Sequence, residues 1–195
     1  MKSLLLATTL ATAFGATAAM AADKYTLDAS HSQIVFSYNH LGFSTTYGMF
    51  SGFDGEIMFD QENPANSSVT VSMPVMSMFT GWEQRDGHFM SADFFGATEE
   101  DMVTSTSTSI EVTGDDTALI TGDLSMNGVT KSVVLDATLN QAGTNPLANK
   151  EWAGFDATTT LLRSDFGLGA FAPAVSDEVQ VMISIEAEKA DDSDS

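Results

Sequence analysis

Residues 117–141 read TALITGDLSMNGVTKSVVLDATLNQ, and their pattern decides the fold class. Asn127-Gly128 lies between two runs in which apolar and polar residues alternate. A two-residue type I′ turn needs positive φ at both central positions. Asn-Gly supplies that at little steric cost, so the pair predicts a tight β-hairpin. On the second arm Val129, Val133, Leu135, Ala137 and Leu139 alternate with polar residues. A period of two places such a set on one face of a strand.

The same pattern recurs outward from the hairpin. Upstream, residues 102–112 (MVTSTSTSIEV) show β-branched alternation ending in Ile110 and Val112. Residues 67–75 put Val69, Val71, Met73 and Val75 in phase, with Pro74 marking an edge or a bulge. Residues 45–60 read as one long strand, with Tyr47, Met49, Phe53, Ile57 and Phe59 on one parity. Gly48, Gly52 and Gly55 predict a sharp bend in it, as at a barrel corner. In residues 33–41 Ile34, Phe36, Tyr38 and His40 share a face. Downstream, residues 152–163 and 177–188 complete the set, and in the second Val179, Val181, Ile183 and Ile185 are in phase.

These are eight strands joined mostly by short connections, which implies antiparallel pairing. Such a chain closes into an up-and-down barrel or folds as a sandwich, and long strands with internal glycines favour the barrel. The expected fold is therefore all-β: an eight-stranded antiparallel up-and-down barrel. A barrel of this size is filled by side chains or holds one small ligand.

One segment breaks the pattern. Residues 80–95, TGWEQRDGHFMSADFF, start with a charged, helix-compatible stretch carrying Glu83, Arg85, Asp86 and His88 and run into Phe89, Phe94 and Phe95. A short amphipathic helix inserted into an all-β chain is expected to cover an opening or to pack into the sheet's interior.

The N-terminus carries the three signs of a secretory leader in order: Lys2, an apolar stretch over residues 4–13, and Ala19-Met20-Ala21 as a cleavage site. The expected division is a leader over 1–21 cleaved after Ala21, one domain over 22–190, and an acidic, disordered tail over 191–195. There is no cysteine, so stability must come from the core, and thiol chemistry and Cys-ligated zinc are excluded. The formal net charge of −20 argues against nucleic acid and anionic membrane surfaces as partners.

Catalytic signatures are absent: there is no G-x-S-x-G, no P-loop and no G-x-G-x-x-G. The three histidines, His31, His40 and His88, lack H-x-H or H-E-x-x-H spacing. Isolated structural histidines are favoured over a metal site built with Asp28, Asp86 or Asp93. Phe36, Tyr38, Met49, Phe53, Phe59, Met73, Phe89, Phe94, Phe95 and Met126 lie on strand faces or in the insertion. Methionines and aromatics make adaptable walls for an elongated apolar ligand, and a packed core gives the same pattern. For Arg85, ion pairing with Glu83 or Asp86 stands beside contact with a ligand's polar head.

Several blocks in order resemble the YceI-like family over residues 25–187. They are Tyr25-Thr26-Leu27-Asp28 with His31-Ser32; His40-Leu41-Gly42 with Ser44-Thr45; and Gly48, Phe50, Phe53 and Gly55. Thr80-Gly81 with Arg85-Asp86, His88, Ser91 and Asp93-Phe94-Phe95 is the most specific. Gly122-Asp123-Leu124, Asn127 to Lys131, Leu135-Asp136, Arg163 to Gly167 and Ser176 to Val179 complete it. The resemblance implies an eight-stranded antiparallel barrel, lipocalin-like in outline, whose long apolar interior binds polyisoprenoid or similar amphiphiles in the bacterial periplasm: isoprenoid quinones, prenyl alcohols or phosphates, or fatty-acid derivatives. It also implies a link to a b561-type cytochrome in some relatives. It supplies no catalytic residues, and neither an enzyme nor a cofactor is expected.

This chain departs from the family pattern at Trp82, where relatives often have a small polar residue. It departs again at Tyr47 and Met49 around Gly48, where many carry basic residues. Fewer basic groups favour a neutral head group. The ten residues above are expected to line the cavity, with Trp82, Arg85 and His88 at its mouth. The leading expectation is a periplasmic carrier of a long-chain isoprenoid lipid. The alternatives are an accessory to quinone redox chemistry, with His88 and Asp86 or His31 moving protons, and an exported barrel without ligand that acts through its surface. A homodimer is left open.

Overall fold

The computed structural model describes residues 22–191. The expected leader over 1–21 and all of the expected tail except Asp191 lie outside the described residues. The strands are β1 (Asp23–Leu27), β2 (Gln33–His40), β3 (Ser44–Phe50), β4 (Asp54–Phe59), β5 (Ser68–Pro74), β6 (Met102–Val112), β7 (Thr117–Met126), β8 (Val129–Thr144), β9 (Glu151–Leu162) and β10 (Glu178–Lys189). One helix, α1 (Glu83–Met90), sits between β5 and β6. All pairings are antiparallel. The order β1-β4-β5-β6-β7-β8-β9-β10 closes on itself through β10 and β1, giving an eight-stranded barrel.

The two remaining strands extend the first two staves. β1 pairs with Ala187, Glu188 and Lys189 of β10, and β2 pairs with Gln180 to Ser184 of the same strand, so β1 and β2 lie end to end. β3 pairs with β2 and β4 with β1, so these two are end to end as well. The stretch read from sequence as one strand over 45–60 is therefore broken, with Gly52 at φ +69° in the gap. The break reverses the parity expected for its first half. Phe36 pairs with Gly48 and Ile34 with Phe50, and paired residues share a face. Phe50 thus points inward and is 7% exposed, while Tyr47 and Met49 point outward. A Cβ on Gly48 would lie 2.3 Å from the Phe36 ring, so only glycine lets that ring lie flat across the stave.

The turn chemistry follows the sequence. Asn127 and Gly128 have φ of +52° and +72°, as the hairpin requires. A register shift between Ser107 and Ser109 moves the inward face of β6 from Val103 and Ser105 to Ile110 and Val112.

Pairing register places the 41–43 turn, the segment over 75–101, the β7–β8 turn and the loop over 163–177 at one end of the barrel. The turns over 60–67, 113–116 and 145–150 lie at the other. Val75 and Phe166, at 2% and 1% exposed, pack under the first end. Tyr25, Phe59 and Phe155 pack edge to face toward the second, with ring centroids 5.9 and 5.5 Å apart.

α1 has eight residues, too few to hold as an isolated helix. A polar knot and an aromatic cluster hold it. The Thr80 N–H donates to Asp86 Oδ1 at 2.9 Å, and the Thr80 hydroxyl donates to the same oxygen. Arg85 Nε donates to Thr80 Oγ1 at 2.8 Å and Arg85 Nη2 to the Thr80 carbonyl at 2.6 Å. The strap before the helix is tied to β3 by two Met49–Phe79 backbone hydrogen bonds of 2.9 Å.

Candidate functional site

A cavity of about 1120 Å³ runs along the barrel axis. That exceeds the roughly 300–1,000 Å³ of ordinary small-molecule pockets. Its walls are the inward faces of the strands: Ile34, Phe36 and Tyr38 on β2, Leu124 and Met126 on β7, Val181 and Ile185 on β10, with their counterparts on the other staves. The polar contribution along its length is mainly hydroxyls, such as Thr46, Ser105, Ser107 and Thr159. Ser107 Oγ is itself occupied, accepting the Val69 N–H at 2.9 Å. No fully buried side-chain nitrogen or oxygen among the described residues lacks a partner. A cavity with aliphatic and aromatic walls and few polar groups selects an apolar guest.

Nine of the ten residues expected to line the interior do face this cavity: Phe36, Tyr38, Phe53, Phe59, Met73, Phe89, Phe94, Phe95 and Met126. Met49 does not. The broken stave turns it outward and puts Phe50 in its place. Trp82, Arg85 and His88 all sit at the α1 end of the lining. Sequence reading missed Leu41, Leu168 and Phe171, which also line that end. The Gly/Ala/Phe-rich composition of 164–176 marked a loop and gave no sign that it folds over the mouth.

The mouth is an aromatic cluster. The Phe89 ring meets Tyr38 at 6.2 Å and Phe94 at 5.1 Å, both edge to face. His88 stands edge-on to Phe94 at 5.1 Å, and Phe171 lies 6.3 Å from His88 and 6.2 Å from Phe94. Two arginines adjoin it with different commitments. Arg163 gives Nε to the Ser176 carbonyl at 2.8 Å, Nη1 to those of Ala170 (2.8 Å) and Leu168, and Nη2 to that of Val175 at 2.9 Å. Burial pushes its pKa down, opposed by Asp177. Arg85 spends Nε and Nη2 on Thr80, lies 5.8 Å from the Trp82 ring, and keeps Nη1 without a hydrogen-bond partner among the described residues. It is a group at the mouth with donors left for a ligand's polar head.

The histidines are dispersed. His88 faces Asp93 at 3.4 Å with both side chains half exposed or more, and Asp93 is not part of the cavity wall. His40 lines the mouth and bridges to Val175 through the backbone. His31 lies outside the cavity lining, where Asp28, His31 and Glu186 bring ligand-type atoms within 4.8 Å of one another. The sequence reading weighs Asp28 as a metal partner for a histidine and prefers isolated histidines; Glu186 is not among its candidates. It is hydrogen-bonded within the protein: His31 Nδ1 lies 2.6 Å from Asp28 Oδ2, and Trp152 Nε1 donates to Glu186 at 2.8 Å.

The trio has a pH signature. The hydrogen bond with Asp28 raises the His31 pKa, and the same bond lowers that of Asp28. A raised histidine adds stability below its ordinary value of about 6.5 and loses it as pH climbs through the raised one. A lowered aspartate adds stability above about 3.9 and loses it as pH falls through the lowered one. The pair therefore helps most between those limits. The urea midpoint gap between wild type and His31→Asn is expected to be wider at pH 5.5 than at pH 9; equal gaps would show that the pair is not the cause.

Residues 25–187 match the family model described as the YceI-like domain. The chain belongs to the YceI-like family. Protein YceI of Shigella flexneri is 41% identical over 186 residues, covering 95% of this chain and 96% of its own. The UPF0312 protein of Ectopseudomonas mendocina is 41% identical over 188 residues, covering 95% of this chain and 97% of its own. Among solved structures, BcnA of Burkholderia cenocepacia superposes with a TM-score of 0.74 at 24% identity, covering 82% of this chain and 98% of its own. A polyisoprenoid binding domain from Saccharophagus degradans superposes at 0.66 with 16% identity, covering 85% and 98%. At those identities the two structures show that the YceI-like barrel is shared, and the fold expected from sequence stands.

Proposed function

We propose that this YceI-like barrel is an exported carrier for a long-chain isoprenoid lipid, working in the periplasm. The observation that carries the reading is the apolar cavity of about 1120 Å³ running from the α1 end toward the opposite turns. The name of the S. degradans barrel, a polyisoprenoid binding domain, supports the ligand class, and the leader-like residues over 1–21 support export. Burial of each methylene contributes about 0.8 kcal/mol, so an isoprenoid chain can be held by the walls alone. The polar head would sit at the α1 end, where Arg85 Nη1 and His88 can donate to a carbonyl or hydroxyl oxygen. Arg163 is committed to the loop carbonyls, and no lysine among the described residues lines the cavity, so a neutral quinone or alcohol head fits better than a pyrophosphate. The mechanism is equilibrium sequestration, with no bond made or broken.

The test is mass spectrometry of the organic extract of protein exported under its own leader and purified without detergent. A stoichiometric isoprenoid quinone or prenol is the expected result. An empty protein that also fails to take up added quinone would refute the reading.

A further inference from the structure

The two ends of the cavity differ in chemistry. The turn at the far end lines it with Gly114, Asp115, Asp116 and Thr117. The α1 end lines it with Leu41, Trp82 and Phe171, which are 48%, 57% and 61% exposed, and Phe43 beside Leu41 is 90% exposed. An isolated exposed apolar residue needs no explanation, but four large ones at the same end of one apolar cavity call for one.

The backbone adds a second observation. Among the described residues, four other than glycine have positive φ. Asn127 and Asn149 are of a type that tolerates it, while the other two are Leu41 at +57° and Phe171 at +64°. Bulky apolar residues in this region are strained, and an apolar side chain held in water is penalised again. Both penalties fall at the mouth. The surrounding hydrogen bonds hold the strain in place. Gly42 N–H donates to Asn39 Oδ1 at 2.7 Å and Ser176 N–H to the Asn39 carbonyl at 3.0 Å, joining the two rim segments. Arg163 then fixes the segment that carries Phe171.

We propose that this rim is a membrane-docking surface: Leu41, Phe43, Trp82 and Phe171 enter the headgroup region of a zwitterionic bilayer and seat the mouth there, so that a lipid passes into the barrel without crossing water. The inference rests on the carrier reading and names the partner of the same mouth. Leu, Phe and Trp are the side chains that bind at such interfaces. The chain carries −20, Arg163 is committed to the loop carbonyls and Arg85 has only Nη1 left over, and Glu83, Asp93 and Asp165 lie at the same end, so anionic lipid weakens the contact rather than driving it.

The test is flotation of the exported chain with phosphatidylcholine vesicles, with and without one third phosphatidylglycerol. Wild type is expected to float with the first and less with the second. Phe43→Ser is expected to cut partitioning about tenfold while leaving farnesol binding unchanged, because Phe43 does not itself line the cavity. Leu41→Asn and Phe171→Asn are expected to reduce flotation while raising the unfolding midpoint, because asparagine accepts positive φ. Asp115→Ser at the far end is expected to leave flotation as it was. Wild type that does not float, Phe43→Ser that floats equally well, or stronger flotation on anionic vesicles overturns the proposal. So does a dimer in sedimentation that Phe43→Ser dissociates without changing flotation, since the rim would then serve a second copy. Failure of farnesol to bind wild type sinks the carrier reading itself, whereas farnesol binding without flotation sinks only the docking.

Discussion

Replacing Arg163 with alanine is expected to destabilise the protein by about 3 kcal/mol and to loosen the loop over 164–176. Among the described residues the guanidinium is the donor to the carbonyls of Leu168, Ala170, Val175 and Ser176 that the loop turns toward it. Each hydrogen bond to a charged group contributes roughly 1.5–3 kcal/mol, and bonds sharing one donor group do not add. Part of the site is open to water, which replaces some of the lost donors and keeps the total well below four independent bonds. Arg163→Lys is expected to recover only a fraction, because a point ammonium cannot span four carbonyls that a planar fork reaches. Urea denaturation gives the first number. Hydrogen exchange over 164–176 gives the second, with protection lost there while β7 to β9 keep theirs. A loss below about 1 kcal/mol, within the range of an ordinary surface substitution, would show that burial of Phe166 and Leu168 holds the loop without the arginine.

Affinity for linear prenols is expected to rise about tenfold with each added isoprene unit, taking about 0.3 kcal/mol for each of five carbons. Transfer of the same carbons into an ideal apolar phase would give more, about 0.8 kcal/mol per methylene, but ordering a long chain offsets part of it. The rise must end when the cavity of about 1120 Å³ is full, and further units then project through an end and add little. Competition of prenols of graded length against a fluorescent isoprenoid measures both the slope and the plateau. A flat response from the shortest chain onward would mean that the chain lies on the outside of the barrel and that the cavity is not its site.

Much of this was legible in the sequence, because period-two alternation states directly which residues share a face. Ile34, Phe36, Tyr38 and His40 on β2, and Val179, Val181, Ile183 and Ile185 on β10, all face the cavity as their spacing implies. Parity carries only as far as the strand is continuous. At Gly52 the chain leaves extended conformation for positive φ, and the count restarts one residue out of phase, which turned Met49 outward and hid Phe50. The shift between Ser107 and Ser109 has the same effect on β6. Phe171 was out of reach for another reason. It belongs to no strand or helix, and it comes to the mouth through Arg163 and through the pairing of His40 with Val175, contacts that no local pattern encodes.

The sequence alone determined the local conformations: strands from alternation, a type I′ turn from Asn127-Gly128, and a short helix where alternation stops at residues 80–95. These depend on φ/ψ preference and on the partition of each side chain between water and core, which are properties of neighbouring residues. The tertiary structure decided the rest. Pairing of β1 with β10 closed the barrel, and the circumference set by eight staves left a hollow where the same apolar residues would suit a packed core. Arg163 was drawn into the loop carbonyls while Arg85 kept a donor at the mouth. Cavity volume and donor commitment are both sums over residues far apart in the chain, so they exist only once the sheet has closed.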